Sequence, residues 1–294
     1  MRVACIGIAV LDRTYFLPSL PGSPGKYIAG GYSEVGGGMA ATAAVAVARL
    51  GGEAVWIGRS GDDATGATLR AGLAAHGVAH CPALVATGGA TPSSAVLVDA
   101  AGERILALFP GAGQVEEPRF DLEGAAAVLA DPRWVAGAEH GFALARAAGL
   151  PRVLDAESGA PAILHRLAPQ ADHIVFSQRG LHEFTGEADG AAGLAIAASR
   201  LSGVLAVTLG AAGSLWWRDG AAHPLPAPRV AARNTTGCGD VFHGAYTLAI
   251  AEGAAVEAAA RFATAAAALK AKAGSGWDAV PDRAAVTALL ARGW

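Results

Sequence analysis

The amino-acid sequence predicts an α/β protein: a mostly parallel β-sheet covered by helices on both faces, with a small β-flap added. Three observations point there. Short apolar runs alternate with helix-length segments along most of the chain, which is the pattern of β-α units. Glycine-rich turns follow the strands, at the sheet edge where such proteins bind ligands. The 294 residues are 53% hydrophobic and 16% charged, enough for a large dry core and too apolar for a disordered chain.

Taken in order, residues 3–9 form an apolar run ending on a small residue, as a buried parallel strand does. Residues 11–32 change character, with Pro18, Pro21 and Pro24 among glycines and aromatics, and are expected to leave the main sheet. Residues 39–50 read as a small-residue helix between Gly36-Gly37-Gly38 and Gly51-Gly52. A strand follows at 54–58, and residues 59–66 open a helix that ends near His76 and Gly77. Residues 94–99 and 104–109 flank Ala100-Ala101-Gly102-Glu103, a hairpin signal. The flap is thus expected from about 11–33 and 92–110, within a single domain spanning 1–294. Beyond Gly113 the rhythm resumes, with strands near 126–130, 152–155, 173–176 and 204–208 and helices at 136–148 and 191–201. A hairpin carrying Trp216 and Trp217, helices after Asp240 and Val256, and a short helix after Pro281 close the chain.

Several function classes drop out. Net charge is -3 and the isoelectric point about 6.2, which argues against a nucleic-acid partner. The three cysteines, Cys5, Cys81 and Cys238, are far apart, so neither a zinc site nor a disulfide framework is suggested. No long uncharged apolar run suggests a membrane span, and the first residues read as a strand, so a cytoplasmic protein with no membrane partner is expected.

The strongest chemical signal is Asn234-Thr-Thr-Gly-Cys-Gly-Asp240 and the segment after it. Val241, Ala245 and Leu248 share one face at helical spacing, so the glycine-rich turn feeds a helix N-terminus. Unpaired N–H groups and the positive end of the helix dipole meet there. Gly237 and Gly239 let backbone approach an anion closely. Asp240 beside such a cradle suits a base that takes a proton from a hydroxyl attacking a phosphoryl group. The plainer alternative is an Asp capping a surface helix. Thr208-Leu-Gly210-Ala-Ala-Gly213 follows a strand and either wraps a nucleotide phosphate or is an ordinary tight turn. Asp12, beside Arg13, reads as a local ion pair or as an acceptor for two sugar hydroxyls. There is no GxxxxGK[ST], which excludes a P-loop NTPase, and no GxGxxG after the first strand, which disfavours a dinucleotide dehydrogenase.

Assembled, these residues resemble the PfkB (ribokinase-like) carbohydrate kinases over nearly the whole chain. The run from Gly37-Gly38-Met-Ala-Ala-Thr42 to Arg49-Leu50-Gly51 is similar to that family's first signature, and Thr235-Thr236-Gly237-Cys238-Gly239-Asp240 to its second. The resemblance implies a three-layer α/β/α sandwich with a β-lid, ATP and Mg2+ as cofactors, and a small-molecule sugar as the phosphoryl acceptor. It implies Asp240 as base, Gly237, Cys238 and Gly239 as anion hole, and Asp12, Gly37, Gly38 and Thr42 as sugar site. By the same resemblance Thr208, Gly210, Gly213 and Thr236 hold the ATP. A flat lid with exposed strand edges commonly pairs with a copy of itself, so a homodimer through the lid is expected.

Within the family the chain is most similar to the sulfofructose kinase branch, which phosphorylates the 1-hydroxyl of 6-deoxy-6-sulfofructose. The shared strings are Gly25-Lys26-Tyr27, residues 34–38 and 40–44, Asp131 with Arg133-Trp134, and Asp240-Val-Phe-His243-Gly244-Ala245. Lys26 and Arg133 match the positions that hold the sulfonate there, the Lys a mobile point charge and the Arg a planar fork. Their plainer reading is a pair of solvated surface cations.

The chain also departs from the pattern. Leu108 stands where that branch has a sulfonate-binding Asn, and Thr42 replaces a sugar-contacting Asn of many members. Ser177-Gln-Arg-Gly180 replaces an NxxE motif linked to Mg2+, so the metal is expected on ATP phosphates and water, with no protein ligand named. Asn234 replaces an Asp, which leaves monovalent-cation dependence open. The expectation is an ATP-dependent kinase for a primary hydroxyl of a ketose, led by an anionic ketose through Lys26 and Arg133. A neutral ketose or pentose is the second reading, from Leu108. A sugar-binding regulator without catalysis is the third, from the missing NxxE.

Overall fold

The computed structural model describes residues 1–157 and 161–294. In chain order the first strands are β1 (Arg2–Ile6), β2 (Val10–Phe16), β3 (Gly31–Gly37), β4 (Glu53–Ile57), β5 (Ser60–Gly61), β6 (Val78–His80) and β7 (Val85–Ala86). Then come β8 (Ser93–Val98), β9 (Arg104–Phe109), β10 (Ala125–Ala130), β11 (Arg152–Ala156), β12 (His173–Ser177), β13 (Val204–Thr208), β14 (Ser214–Arg218) and β15 (Ala221–Leu225). The helices are α1 (Met39–Arg49), α2 (Ala64–Ala75), α3 (Val135–Ala147), α4 (Pro161–Leu167), α5 (Gln178–Thr185), α6 (Gly190–Ala198), α7 (Cys238–Ala251), α8 (Val256–Ala273) and α9 (Arg283–Arg292).

A nine-stranded sheet runs β15-β14-β13-β12-β11-β10-β1-β4-β6. From β13 to β6 all neighbours are parallel; β14 and β15 form an antiparallel hairpin at one edge. The chain winds one way from β1 through β4 to β6 and the other way from β10 to β13. The winding reverses between β1 and β10, and a crevice opens at such a point beyond the carboxyl ends of the strands.

Strand side chains alternate between two cores, as the pleat requires. Val3, Cys5, Val153 and Val175 face α1, α2, α7 and α8, while Ala4, Ile6, Leu154 and Phe176 face the layer of α3 to α6. The alanine-rich composition has a packing reason in the first layer. Along α7 every residue from Val241 to Ala249 is buried, so this helix is enclosed on all sides. It approaches α1 so closely that a Cβ on Gly244 would lie 2.4 Å from the Ala43 carbonyl oxygen.

The stretches expected to form the flap make a smaller four-stranded sheet, β3-β2-β8-β9. Val35, Asp12, Ser94 and Leu108 lie in register across its strands and so share one face. The first strand is shorter than expected. It ends at Ile6 because Gly7, at φ +146, carries the chain over the Asp131 carboxylate, where a Cβ would meet Oδ2 at 2.1 Å. The short α5 was not foreseen, although its cap was readable: Ser177 Oγ accepts from the Gly180 N–H at 2.9 Å.

Candidate active site

The glycine turn before α7 lies at that crevice. Gly237 caps the helix in the left-handed region, at φ +79, a conformation that favours glycine. Gly239 has an ordinary backbone, and a Cβ there would meet nothing within 4 Å. Its lack of a side chain keeps exposed space open rather than solving a packing problem. Hydrogen-bond accounting modifies the expected anion hole. The Cys238 N–H closes the turn onto Thr235 O at 3.2 Å, so it is not freely available. Among the described residues the N–H groups of Gly237, Gly239 and Asp240 have no partner, and they are the free donors at the positive end of α7.

Asp240 sits in the first turn, partly accessible to solvent yet densely surrounded. Burial pushes its carboxyl up to about 7, and the nearby Asp155 adds to the effect. Asp155, at the end of β11, is buried against His243, with Oδ2 3.3 Å from Nδ1. His243 Nδ1 is also 2.8 Å from Gly239 O, and Nε2 is 3.2 Å from Val175 O. Burial lowers the pKa of His243 and raises that of Asp155 well above the carboxylate range. Both ring nitrogens face carbonyl oxygens and the Asp155 carboxyl lies beside Nδ1, so the two side chains form one buried polar pair beneath α7. A third buried carboxylate, Asp131, accepts from the N–H groups of Ile8 (2.8 Å), Ala40 (3.1 Å) and Arg133 (2.8 Å). It ties the exit of β1, the start of α1 and the loop after β10 together. Burial raises its pKa to about 6 against those bonds.

The expected sugar residues lie close together. Asp12 accepts a short hydrogen bond from Ser94 Oγ, and burial raises its pKa against that bond. Arg13 pairs with Glu34 at 3.0 Å instead, so the local-ion-pair reading of Asp12 does not hold. A Cβ on Gly37 would lie 2.6 Å from Asp12 Oδ2, and one on Gly38, at φ +93, 2.6 Å from Ile8 O. Thr42 is buried with Oγ1 accepting from Trp277 Nε1 at 3.1 Å, and its methyl group is 3.6 Å from the Cβ position of Gly237. Lys26 is exposed in the segment between β2 and β3. The Arg133 side chain is also exposed, near enough to Asp131 and Asp155 to lower the pKa of both against the larger effect of burial.

The expected nucleotide residues divide. Thr208 Oγ1 turns back to Phe176 O at 3.4 Å, and Gly210, at φ +56, opens a single helical turn (Gly210–Ala212) with nothing near its Cβ position. Gly213 differs: a Cβ there would meet Leu225 O at 2.1 Å, so the glycine fits the turn against β15. Thr236 is engaged within the protein. Its N–H donates to Asn234 Oδ1 (2.8 Å), its Oγ1 accepts from Arg104 Nη1 (2.7 Å), and its carbonyl accepts from Lys270 Nζ (3.2 Å). Those bonds give it a role in shaping the turn. Among the described residues no group of three His, Cys, Asp or Glu is arranged to hold a metal. Cavities of about 350 Å³ beside Trp216 and Val256 and about 330 Å³ beside Cys81 and Phe120 contain none of these residues.

Asp131, Asp155, His243, Arg104 and Lys270 were given no role from sequence. Arg104 is the most readable in hindsight, because hairpin register puts it on the same face of the smaller sheet as Asp12.

The sequence model described as pfkB family carbohydrate kinase matches residues 1–283. A ribokinase of Bacillus subtilis (strain 168) is 26% identical over 301 residues, covering 99% of this chain and 100% of that protein. A crystal structure from Agrobacterium tumefaciens, provisionally called a ribokinase, is 34% identical with a TM-score of 0.92, covering 99% of this chain and 97% of that one. An Arabidopsis thaliana ribokinase solved with ribose and ATP is similar in fold, with a TM-score of 0.84 at 24% identity and 98% of each chain covered. The chain belongs to the pfkB family of carbohydrate kinases.

Proposed function

From that membership we propose that this protein is an ATP-dependent kinase for a primary hydroxyl of a ketose carrying an anionic group at its far end, such as 6-deoxy-6-sulfofructose. The observation that carries the chemistry is the first turn of α7. There a carboxyl held at about 7 stands in the same turn as three N–H groups that have no partner among the described residues. A base works best when its pKa is near the working pH. Asp240 takes the proton of the acceptor hydroxyl, while the N–H groups of Gly237, Gly239 and Asp240 face the transferring phosphoryl oxygens. Asp12, pinned by Ser94, accepts hydroxyl groups of the sugar, and Gly37 and Gly38 leave room for the ring. Mg2+, when bound, would supply charge neutralisation at the phosphates, held by those phosphates and water. The smaller sheet is a lid that keeps water from the phosphoryl group.

Two exposed cations, Lys26 and Arg133, support the anionic substituent. The second reading, a neutral ketose or pentose, rests on Leu108. It shares the Asp12 face of the lid and presents an apolar side chain where a polar contact to the anion would help. ADP release measured over sugar phosphates, sugar sulfonates, fructose and ribose separates the two. Turnover is expected with an anionic ketose, and Arg133→Glu should raise its KM roughly 10-fold or more, the loss of a charge-assisted contact. Equal damage toward fructose would make Arg133 structural and leave the neutral reading. No ADP release with any sugar would point to the regulator.

A further inference from the structure

Lys270 is a buried lysine just beneath the α7 turn, and its bonding is unusual. Its side chain is 1% exposed near the C-terminus of α8. Lysines are seldom buried unless their charge is answered. Here no carboxylate pairs directly with Nζ among the described residues; it donates to Gly274 O at 2.5 Å and Thr236 O at 3.2 Å. Carbonyl oxygens converging at the negative end of a helix are the environment that a small cation takes. The same end of α8 also holds the turn through Ala271 O, which accepts from Arg233 N at 2.8 Å and Asn234 N at 3.2 Å.

The peptide between Thr236 and Gly237 is trans, so its C=O and N–H point in opposite directions. Fixing Thr236 O on Lys270 therefore directs the Gly237 N–H away from α8, toward the open side of the turn. Burial lowers the lysine's pKa, and Cys238 and Asp240 act the other way. Both lie in the first turn of α7, so the ammonium and the reacting groups feel each other's field. We propose that Lys270 is a positioning residue, a tethered cation that aims the Gly237 N–H at the transferring phosphoryl group and adds positive potential beneath it. A free monovalent cation is then not required for turnover.

This inference rests on the kinase reading. If wild-type protein releases no ADP on any sugar, that reading fails; the results below instead bear on Lys270 with the kinase reading intact. The wild-type rate is expected to be the same in sodium, potassium and choline chloride at equal ionic strength. Lys270→Ala leaves a space among carbonyls, and its kcat should fall roughly 10²-fold, the scale for losing one oriented donor. Sugar KM should change little, and potassium or ammonium, but not choline, should restore part of kcat. A wild-type requirement for potassium overturns the proposal. So does an unchanged kcat in Lys270→Ala, or a loss that no small cation rescues, which would leave only a structural role. If Lys270→Ala does not fold, the wild-type cation series still decides, and Lys270→Met, which fills the volume, should lose kcat without rescue.

Discussion

Asp12, Gly37, Gly38 and Thr42 are fitted against one another and their surroundings, while Gly210, proposed for the nucleotide, borders open space. A Cβ on Gly37 would strike Asp12, and one on Gly38 would strike the backbone at Ile8. A Cβ on Gly210 would touch nothing. The difference teaches where the geometry is fixed in advance. The proposed acceptor half is held by side-chain bonds, Ser94 to Asp12 and Trp277 to Thr42, so under the proposed function its groups are in place before any phosphate arrives. The proposed nucleotide half is a surface turn whose groups mostly satisfy one another, through Leu209 N to Gly213 O at 2.7 Å and Thr208 Oγ1 to Phe176 O. Between the halves, the first turn of α7 has the open face of one and the buried support of the other.

The sharpest way to break this contrast is on the acceptor side. Gly37→Ala forces the Asp12 carboxylate to move, and overpacking of that kind costs about 1–3 kcal/mol. Sugar KM should rise roughly 10-fold or more, with ATP KM unchanged in the same steady-state experiment. A middle-sized effect separates the two kinds of glycine on α7. Gly244→Ala should lower stability in urea by about 1–3 kcal/mol while the folded fraction keeps its kcat. Gly239→Ala should do the reverse, raising stability by about 0.5–1 kcal/mol through helix propensity while lowering kcat. The smallest effect belongs to the open half: Gly210→Ala adds strain of about 1–2 kcal/mol at its positive φ and should raise ATP KM only a few-fold.

Asp240 also makes a stability prediction. Its carboxyl is raised from 3.8 to about 7, so the folded state binds that proton more tightly than the unfolded chain. The stability it contributes is full below about pH 4 and is lost as pH rises toward about 7. Asp240→Asn should therefore melt at a higher temperature than the parent at pH 8, with the gap closing at lower pH.

The sheet, its flanking helices and the smaller sheet were legible because alternating apolar runs and hairpin turns are local signals. The α7 turn was legible for the same reason: Gly237, Gly239 and Asp240 stand within four positions of one another. What remained hidden depends on partners far along the chain. Lys270 in an alanine-rich helix reads as a solvated charge until the fold brings Thr236 O to it. Asp155 and His243 look unremarkable apart, and become a buried pair only when β11 packs under α7. Gly213 carries a reason for glycine that its spacing did not show: a Cβ there would meet Leu225 O at the end of β15.

The central claim is that Asp240 accepts the proton of the attacking hydroxyl beside free backbone donors. The direct test is Asp240→Asn, with sugar affinity measured by calorimetry and turnover by ADP release on the same preparation. The account predicts sugar affinity within about 3-fold of wild type and kcat lower by roughly 10²–10⁴-fold. Turnover at the wild-type rate in Asp240→Asn would contradict it.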